Sequence, residues 1–421
     1  MASGLKLRVL KNLNGADLPG NGVIANVYAL DPENAEATKR NIVIPVGFVD
    51  YKQVDLSPGE YLVEAVLPSG DILSKEATAK ADTWIEVDLE AENSAHEWQG
   101  VHNLLGHVES EEPYNRVRSM ENLEVSRRAA PRFGVWQIRT LPPQLNDEGP
   151  DGHRMWQTLA DWIEAGPSQF FNDLKLSLRS SSPKAQDSST ELHSFFMDAR
   201  GLPREHLPRW YSLVTGSKQM KLLSLPIPWF NLKTEEELPV EVLVQESNDG
   251  DLTASFSISD TDLCTALGYM SRGALRAAAQ LVDQAEAVDM LFQKFTNPLG
   301  AAGGAYILLG TEPVTQRRPW HDWVQNLMNY FPWLPDGAIQ YAWLQLRQSP
   351  SKENRDRARQ ALITAFRRGV PYYTLGLQWM VDGLTLLGED DQEAQRMLQA
   401  VQQISWRSDT SQTFTSIALA R

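Results

Sequence analysis

The sequence is short of cysteine and of positive charge. Cys264 is the one cysteine in 421 residues. No disulfide can form within the chain, which fits a reducing compartment. Acidic residues outnumber basic ones 54 to 39, and the net charge is −15. Such a chain repels phosphate backbones and anionic lipid surfaces, so no direct nucleic-acid partner is expected. No apolar run approaches the ~18 residues of a membrane span. The opening MASGLKLRVL lacks the apolar core of a secretory signal. These absences lead to the expectation of a cytoplasmic protein with no membrane partner.

Catalytic and metal signatures are also missing. His96, His102 and His107 lie close together in AHEWQGVHNLLGH. Spacings of six and five would not put all three on one side of a helix. No Cys or carboxylate cluster completes a zinc set, so no metal site is expected. Cys264 in DTDLCTALGYM has no local peptidase signature and reads as a core cysteine. No Gly-x-Ser-x-Gly elbow is present. LGAAGGAYILLG, residues 299–310, is rich in glycine but lacks the Lys-Ser/Thr of a phosphate loop and follows a helix. Its small residues read as a close helix contact. No cofactor is expected. Because triads are scattered in sequence, one enzymatic alternative stays open: a hydrolase with a cryptic site at the junction of the β and helical regions, near Cys264, His206 or His321. A carbohydrate-binding sandwich is a third alternative, with only Trp84 and Trp98 to support it.

What the chain does carry is modular periodicity. Residues 1–92 alternate at a period of two in short runs: LKLRVL, GVIANVYAL, NIVIPVGFV, the strands around Tyr61-Val63-Ala65, and TWIEVDLEA. Turns at Ser57-Pro58-Gly59 and Pro68-Ser69-Gly70 separate them. This predicts an antiparallel β-sandwich of about seven strands. Residues 93–165 form a mixed connecting segment, with a strand predicted over 133–141 that rejoins a sheet and a short helix over 155–165. Residues 166–259 predict a second β-rich module, built from QFFNDLKLSLRS, WYSLVTG, KLLSLPIPWF, VEVLVQES and LTASFSIS. The polar stretch 180–189 reads as a loop.

From Asp260 the period becomes 3.6. Leu275, Ala278, Val282, Ala285, Val288, Phe292 and Phe295 are spaced for one buried helix face, ended by Asn297-Pro298. Trp320, Trp323, Leu327 and Phe331 make a second stripe, and Ile339, Trp343 and Leu346 a third. An offset of 36 pairs Trp343 with Trp379, Ala358 with Ala394, Leu362 with Leu398 and Ala365 with Val401. That spacing resembles tetratricopeptide-like helical hairpins, with two possible repeat units. The expected class is therefore α+β multidomain: sandwich (1–92), connector (93–165), second β-rich module (166–259) and α-helical domain (260–421).

The chain contains 13 Trp, and residues 319–346 hold Trp320, Trp323, Trp333 and Trp343 together with Tyr330, Phe331 and Tyr341. FPWLPDGA reads as a rigid aromatic turn, in which two prolines fix φ and Asp336 can cap the helix that follows. Trp320, Trp323, Trp333, Asp336 and Trp343 are the candidate partner-binding residues. The competing reading is a helical core sealed by a stiff turn. For cleavage, the candidate loops are the Arg-rich segment 115–132, with Arg116, Arg118, Arg127 and Arg128, and the Ser/Pro stretch 180–189.

PGEYLVEAVLPSG resembles the prealbumin-like sandwiches of carboxypeptidase regulatory-like domains. The stretch from LLSLPIPW through NPLGAAGGAYILLG to NLMNYFPWLPDGAIQYAWLQL resembles a bacterial family of non-catalytic proteins associated with caspase-like (clan CD, including CHAT-type) peptidases. The likeness covers roughly residues 210–350. It implies a protein-interaction or regulatory role: a partner, inhibitor or cleavable substrate of such a protease or its effector, in a bacterial stress or CRISPR-linked anti-phage response. The His-Gly and Cys segments of the peptidase itself are absent, so the resemblance implies no protease activity here and transfers no site residue.

Overall fold

A computed structural model of the chain describes residues 3–10, 22–31, 36–47, 49–68, 70–90, 134–140, 151–165, 192–197, 209–216, 218–246, 252–260, 263–271, 273–348, 350–388 and 391–420. The fold is α+β and multidomain: a β-sandwich, a second β-rich module and helical hairpins. It falls into two compact units. One comprises Met1–Leu123 and Ser259–Asp283, the other Glu124–Ile258 and Gln284–Arg421.

Among the described residues of the first unit, seven strands form two sheets. They are β1 (Gly4–Leu10), β2 (Gly22–Ala29), β3 (Lys39–Pro45), β4 (Lys52–Asp55), β5 (Gly59–Val66), β6 (Ile72–Ala79) and β7 (Trp84–Glu90). The sheet orders are β4-β1-β7 and β3-β2-β5-β6. The predicted alternation holds: Leu5, Leu7, Val9, Tyr61, Val63 and Ala65 are all 0% exposed in one core shared by both sheets. One pairing departs from the antiparallel rule. β1 and β7 run parallel, Gly4 opposite Trp84 through Leu10 opposite Glu90. Strands so far apart in sequence need no hairpin between them, so nothing forces them antiparallel.

The helix α1 (Asp151–Ala165) belongs to the other unit; among the described residues this one also holds α2 (Cys264–Ser271) and α3 (Leu275–Leu281). α2 is buried on every side. Its Tyr269 hydroxyl accepts from the Ile24 amide at 3.1 Å and donates to the Val66 carbonyl, bridging β2 and β5. The unit therefore reaches past residue 92 to a segment predicted to start the helical domain.

The second unit holds the other sheets. β10 (Arg209–Thr215) lies between β8 (Gly134–Thr140) and β11 (Met220–Leu225), and β16 (Ser416–Ala420) flanks β11. The strand predicted over 133–141 thus does rejoin a sheet. The sequence assigns 260–421 to the helical domain, and β16 departs from that because SIALA is too short to show a period. β14 (Val240–Glu246) pairs with both β15 (Leu252–Ile258) and β9 (Leu192–Met197). Along β15 the serines do not face water: Ser255 and Ser257 are buried beside Phe256 and Ile258. β12 (Trp229–Phe230) and β13 (Glu237–Leu238) make a small ribbon.

Its helices are α1 (Asp151–Ala165), α4 (Gln284–Phe292), α5 (Pro298–Thr311), α6 (Pro319–Tyr330), α7 (Pro335–Gln348), α8 (Lys352–Arg368), α9 (Thr374–Gly388) and α10 (Gln392–Ser405). The single helix predicted from Leu275 to Phe295 is two, α3 and α4. Val282 takes an extended conformation, φ −111° and ψ 103°, and this break resets the helical phase. Ala287, Met290 and Leu291 are buried, while Phe292 and Phe295 are 60% and 70% exposed. Asn297-Pro298 starts α5 as well as ending what precedes it. The Asn297 carboxamide accepts from the Gly300 amide at 2.8 Å, and Pro298 occupies the first turn, where a missing N–H costs nothing.

α5 is apolar all round and buried, as its glycines and alanines permit. A Cβ on Gly304 would lie 2.7 Å from the Ala287 carbonyl oxygen, so α4 and α5 approach too closely for any side chain there. The pairs α7–α8 and α9–α10 are the two hairpins seen at the offset of 36. Trp343 and Trp379 stack at 5.1 Å across them. Ala358, Ala394, Leu362, Ala365 and Val401 are buried. The correspondence slips at Leu398, which is half-buried beside a buried Met397.

Candidate functional site

The loop between α4 and α5 and the solvent side of α6 form a surface of aromatic rings. Phe292 meets Trp323 at 5.2 Å between ring centroids. Phe295 meets Tyr330 at 5.7 Å and Phe331 at 5.6 Å. Tyr330 is 56% exposed. Large apolar rings are expensive to leave in water, and a contiguous group of them marks a contact surface. α6 explains why they stand together. Trp320, Val324 and Leu327 turn inward, which leaves Trp323 and Tyr330 flanking the opposite edge of the helix.

Lys294 lies among these rings. Its ammonium is 5.6 Å from the ring centroids of Phe295 and Trp323 and 6.0 Å from Phe292. Burial lowers its pKa below the usual lysine value, because the charged form loses hydration.

The sequence-predicted site residues fall into two groups. Trp323 belongs to the aromatic surface, and Trp333 adjoins it edge-on to Phe331 at 6.1 Å. Trp320, Asp336 and Trp343 have internal roles instead. Trp320 is 3% exposed and lies edge-on to His321. Trp343 stacks on Trp379, which meets Tyr306 edge-on at 5.0 Å. Asp336 is fully buried. Its carboxylate accepts from the Tyr306 hydroxyl at 2.9 Å and from the amides of Tyr372 and Tyr373 at 2.8 and 3.2 Å. The predicted cap is thus displaced: Asp336 sits in the first turn of α7 but serves the amides leading into α9. Burial, followed by the adjacent Asp336 charge, pushes the Tyr306 and Tyr373 hydroxyls up in pKa.

Arg368 closes the other end of the aromatic turn. Its guanidinium donates to the carbonyls of Met328, Phe331 and Leu334, a cation at the C-terminal end of α6 where the helix dipole favours it. Burial lowers its pKa to about 10. FPWLPDGA is therefore both a stiff seal of the core, with Phe331 buried, and the support that holds Tyr330 at the surface.

Phe292, Lys294 and Phe295 are the members that sequence reasoning missed. The broken helix phase at Val282 moved two of them from the predicted core face to solvent. The signal was a lysine between two phenylalanines just ahead of an Asn-Pro cap.

The groups offered for hydrolysis are not poised for it. Cys264 is 3% exposed, and burial raises its thiol to about 12, so it carries no thiolate near neutral pH. His321 is 4% exposed, burial lowers its pKa, and its Nδ1 faces the Arg318 amide at 3.5 Å in a capping box. His206, the three clustered histidines, the loop 180–189 and Arg116, Arg118, Arg127 and Arg128 lie outside the described residues. Among the described residues no three His, Cys, Asp or Glu side chains are grouped to hold a metal, and no helix is long and apolar enough to cross a membrane.

Fold and surface together define a multidomain α+β protein with an aromatic face on its helical part. Residues 265–420 match the model of a family described as the Y4kD C-terminal domain. The match runs from α2 to β16 and contains the whole aromatic surface. No curated protein matches the chain, and no solved structure does.

Proposed function

We propose that the chain is a non-catalytic interaction protein that binds a protein partner through the aromatic face of α4–α6. The observation that carries this reading is the set of rings Phe292, Phe295 and Tyr330, each more than half exposed and linked through Lys294 and the Phe295–Tyr330 contact. Aromatic residues in such a group are the usual anchors of protein interfaces, because each buries a large area at small entropic cost. The resemblance of residues 210–350 to companions of caspase-like peptidases suggests the partner: such a peptidase or its effector, in a bacterial stress or anti-phage response. The chain then acts in the cytoplasm as a regulatory subunit, an inhibitor or a cleaved substrate, with the Arg-rich segment 115–132 as the candidate cleavage loop.

The test is co-purification with a caspase-like peptidase encoded beside the gene. The two proteins are expected to co-elute in gel filtration, and Phe295→Asp with Tyr330→Asp should abolish co-elution while the circular dichroism spectrum is unchanged. Co-elution that survives the double substitution would remove the aromatic face from the reading. A chain left uncut while the peptidase cleaves other proteins would remove the substrate version.

A further inference from the structure

We infer that the aromatic face reads a carboxylate: it takes a partner segment in which an Asp or Glu side chain adjoins an apolar one, with Lys294 supplying the charge. The inference rests on the docking reading above and adds the chemistry of what docks.

Lys294 is 6% exposed. Among the described residues it has no hydrogen-bond or ion-pair partner, and its only neighbours of note are the faces of three rings. The stem of Lys294 is covered while its ammonium is partly desolvated, and such a charge without a counter-ion among the described residues is unfavourable. Ring quadrupoles at 5.6–6.0 Å lie at the outer limit of cation–π attraction and offset only part of that cost. The neighbouring carboxylates on the same elements are engaged elsewhere. Asp289 accepts from the Gln293 carboxamide, and Asp322 pairs with Arg317. A methionine would fill the same volume without the charge. What would complete the site is an oxygen anion delivered from outside.

The rings define the rest of the ligand. Phe292 and Phe295 present exposed apolar faces beside the ammonium, so an apolar side chain next to the carboxylate would bury against them as the ion pair forms. Once covered, the pair is shielded from water and strengthened. The net charge of −15 makes an acidic segment unfavourable at long range. Recognition must therefore come from contact at Lys294, not from steering.

The experiment selects a displayed library of random twelve-residue peptides on the full chain. Each selected peptide is then resynthesised with Asp→Asn or Glu→Gln, and affinities are measured by fluorescence anisotropy on wild type, Lys294→Met and Phe295→Ala. The expected result is acidic–apolar peptides that lose about tenfold or more on removal of the carboxylate and lose binding to Phe295→Ala. On Lys294→Met the carboxylate should no longer matter. The same variant should melt a few degrees higher than wild type, because a partly desolvated charge has gone. Peptides that need Phe295 but tolerate the amide, or that discriminate equally on Lys294→Met, would overturn the carboxylate inference and leave docking intact. Selected peptides indifferent to Phe295→Ala would overturn both. A lower melting temperature for Lys294→Met would mark Lys294 as a structural residue and end the inference.

Discussion

Asp336 shows how a single side chain can be recruited from surface chemistry to interior architecture. As a carboxylate after proline at a helix start, it reads as a local cap. The fold instead sends it across to Tyr306, Tyr372 and Tyr373. A Cβ on Gly376 would come within 2.9 Å of its Oδ1 and 2.3 Å of the Tyr306 hydroxyl, so the space around it was kept open by a glycine. Removing it strands two amides and a hydroxyl without water. Asp336→Ala is expected to destabilise the second unit by about 3–5 kcal/mol, measured by urea denaturation. A loss below about 1 kcal/mol would mean the network is dispensable. Lys294 is the opposite case, a charge that has no ion-pair partner among the described residues.

Among the elements, the hairpin pair α7–α8 and α9–α10 carries the clearest sequence signature. Trp343 and Trp379 fall at equivalent positions because each must meet the other where the first helices cross. The second helices are joined by charge. Arg359 of α8 pairs with Asp391, which also caps α10 by accepting from the amides of Glu393 and Ala394. The Arg359 hydrogen bond is the main reason the Asp391 carboxyl is held below its ordinary value. A carboxyl with a lowered folded pKa contributes stability above its unfolded value near 3.9 and loses it as pH falls through the folded value. Asp391→Asn keeps the acceptor for the cap and removes the charge. Its stability deficit relative to wild type should therefore be present at pH 6 and shrink as pH falls below the unfolded value near 3.9 toward the lowered folded one. Melting curves across that range check this, and a deficit that persists unchanged in acid would assign the effect to the cap alone.

Across the whole molecule, the chain does not fill its units in sequence order. Residues 259–283 belong with the sandwich, and Tyr269 is the tie that makes this visible. Its hydroxyl is buried, and burial raises its pKa to about 12. Both folded and unfolded states hold the proton below about pH 10, so stability there is unaffected. It should fall between about pH 10 and about 12, where only the unfolded state gives up the proton. Tyr269→Phe is expected to cost about 1–3 kcal/mol by leaving the Ile24 amide and Val66 carbonyl unpaired, and to lose this alkaline transition. A fragment ending at residue 92 lacks the tie altogether. Denaturation of the full-length variant against wild type at pH 8 and pH 11 checks both statements.

The sequence by itself determined the elements whose side chains obey a local period. The seven strands of the sandwich, the strand at 134–140 and the two Trp-marked hairpins follow from alternation or from the offset of 36, because period and burial face are properties of a short stretch of chain. The small-residue contact of α5 was legible for the same reason. Only the tertiary structure decided where the helical phase restarts, since Val282 breaks the α3–α4 run through backbone conformation with no Gly or Pro to announce it. That one break put Phe292 and Phe295 in solvent and assembled the aromatic face around Lys294. It likewise took the fold to bury Asp336 and to carry the apolar SIALA into a sheet, because these depend on partners dozens to hundreds of residues away, and no local pattern records a distant partner.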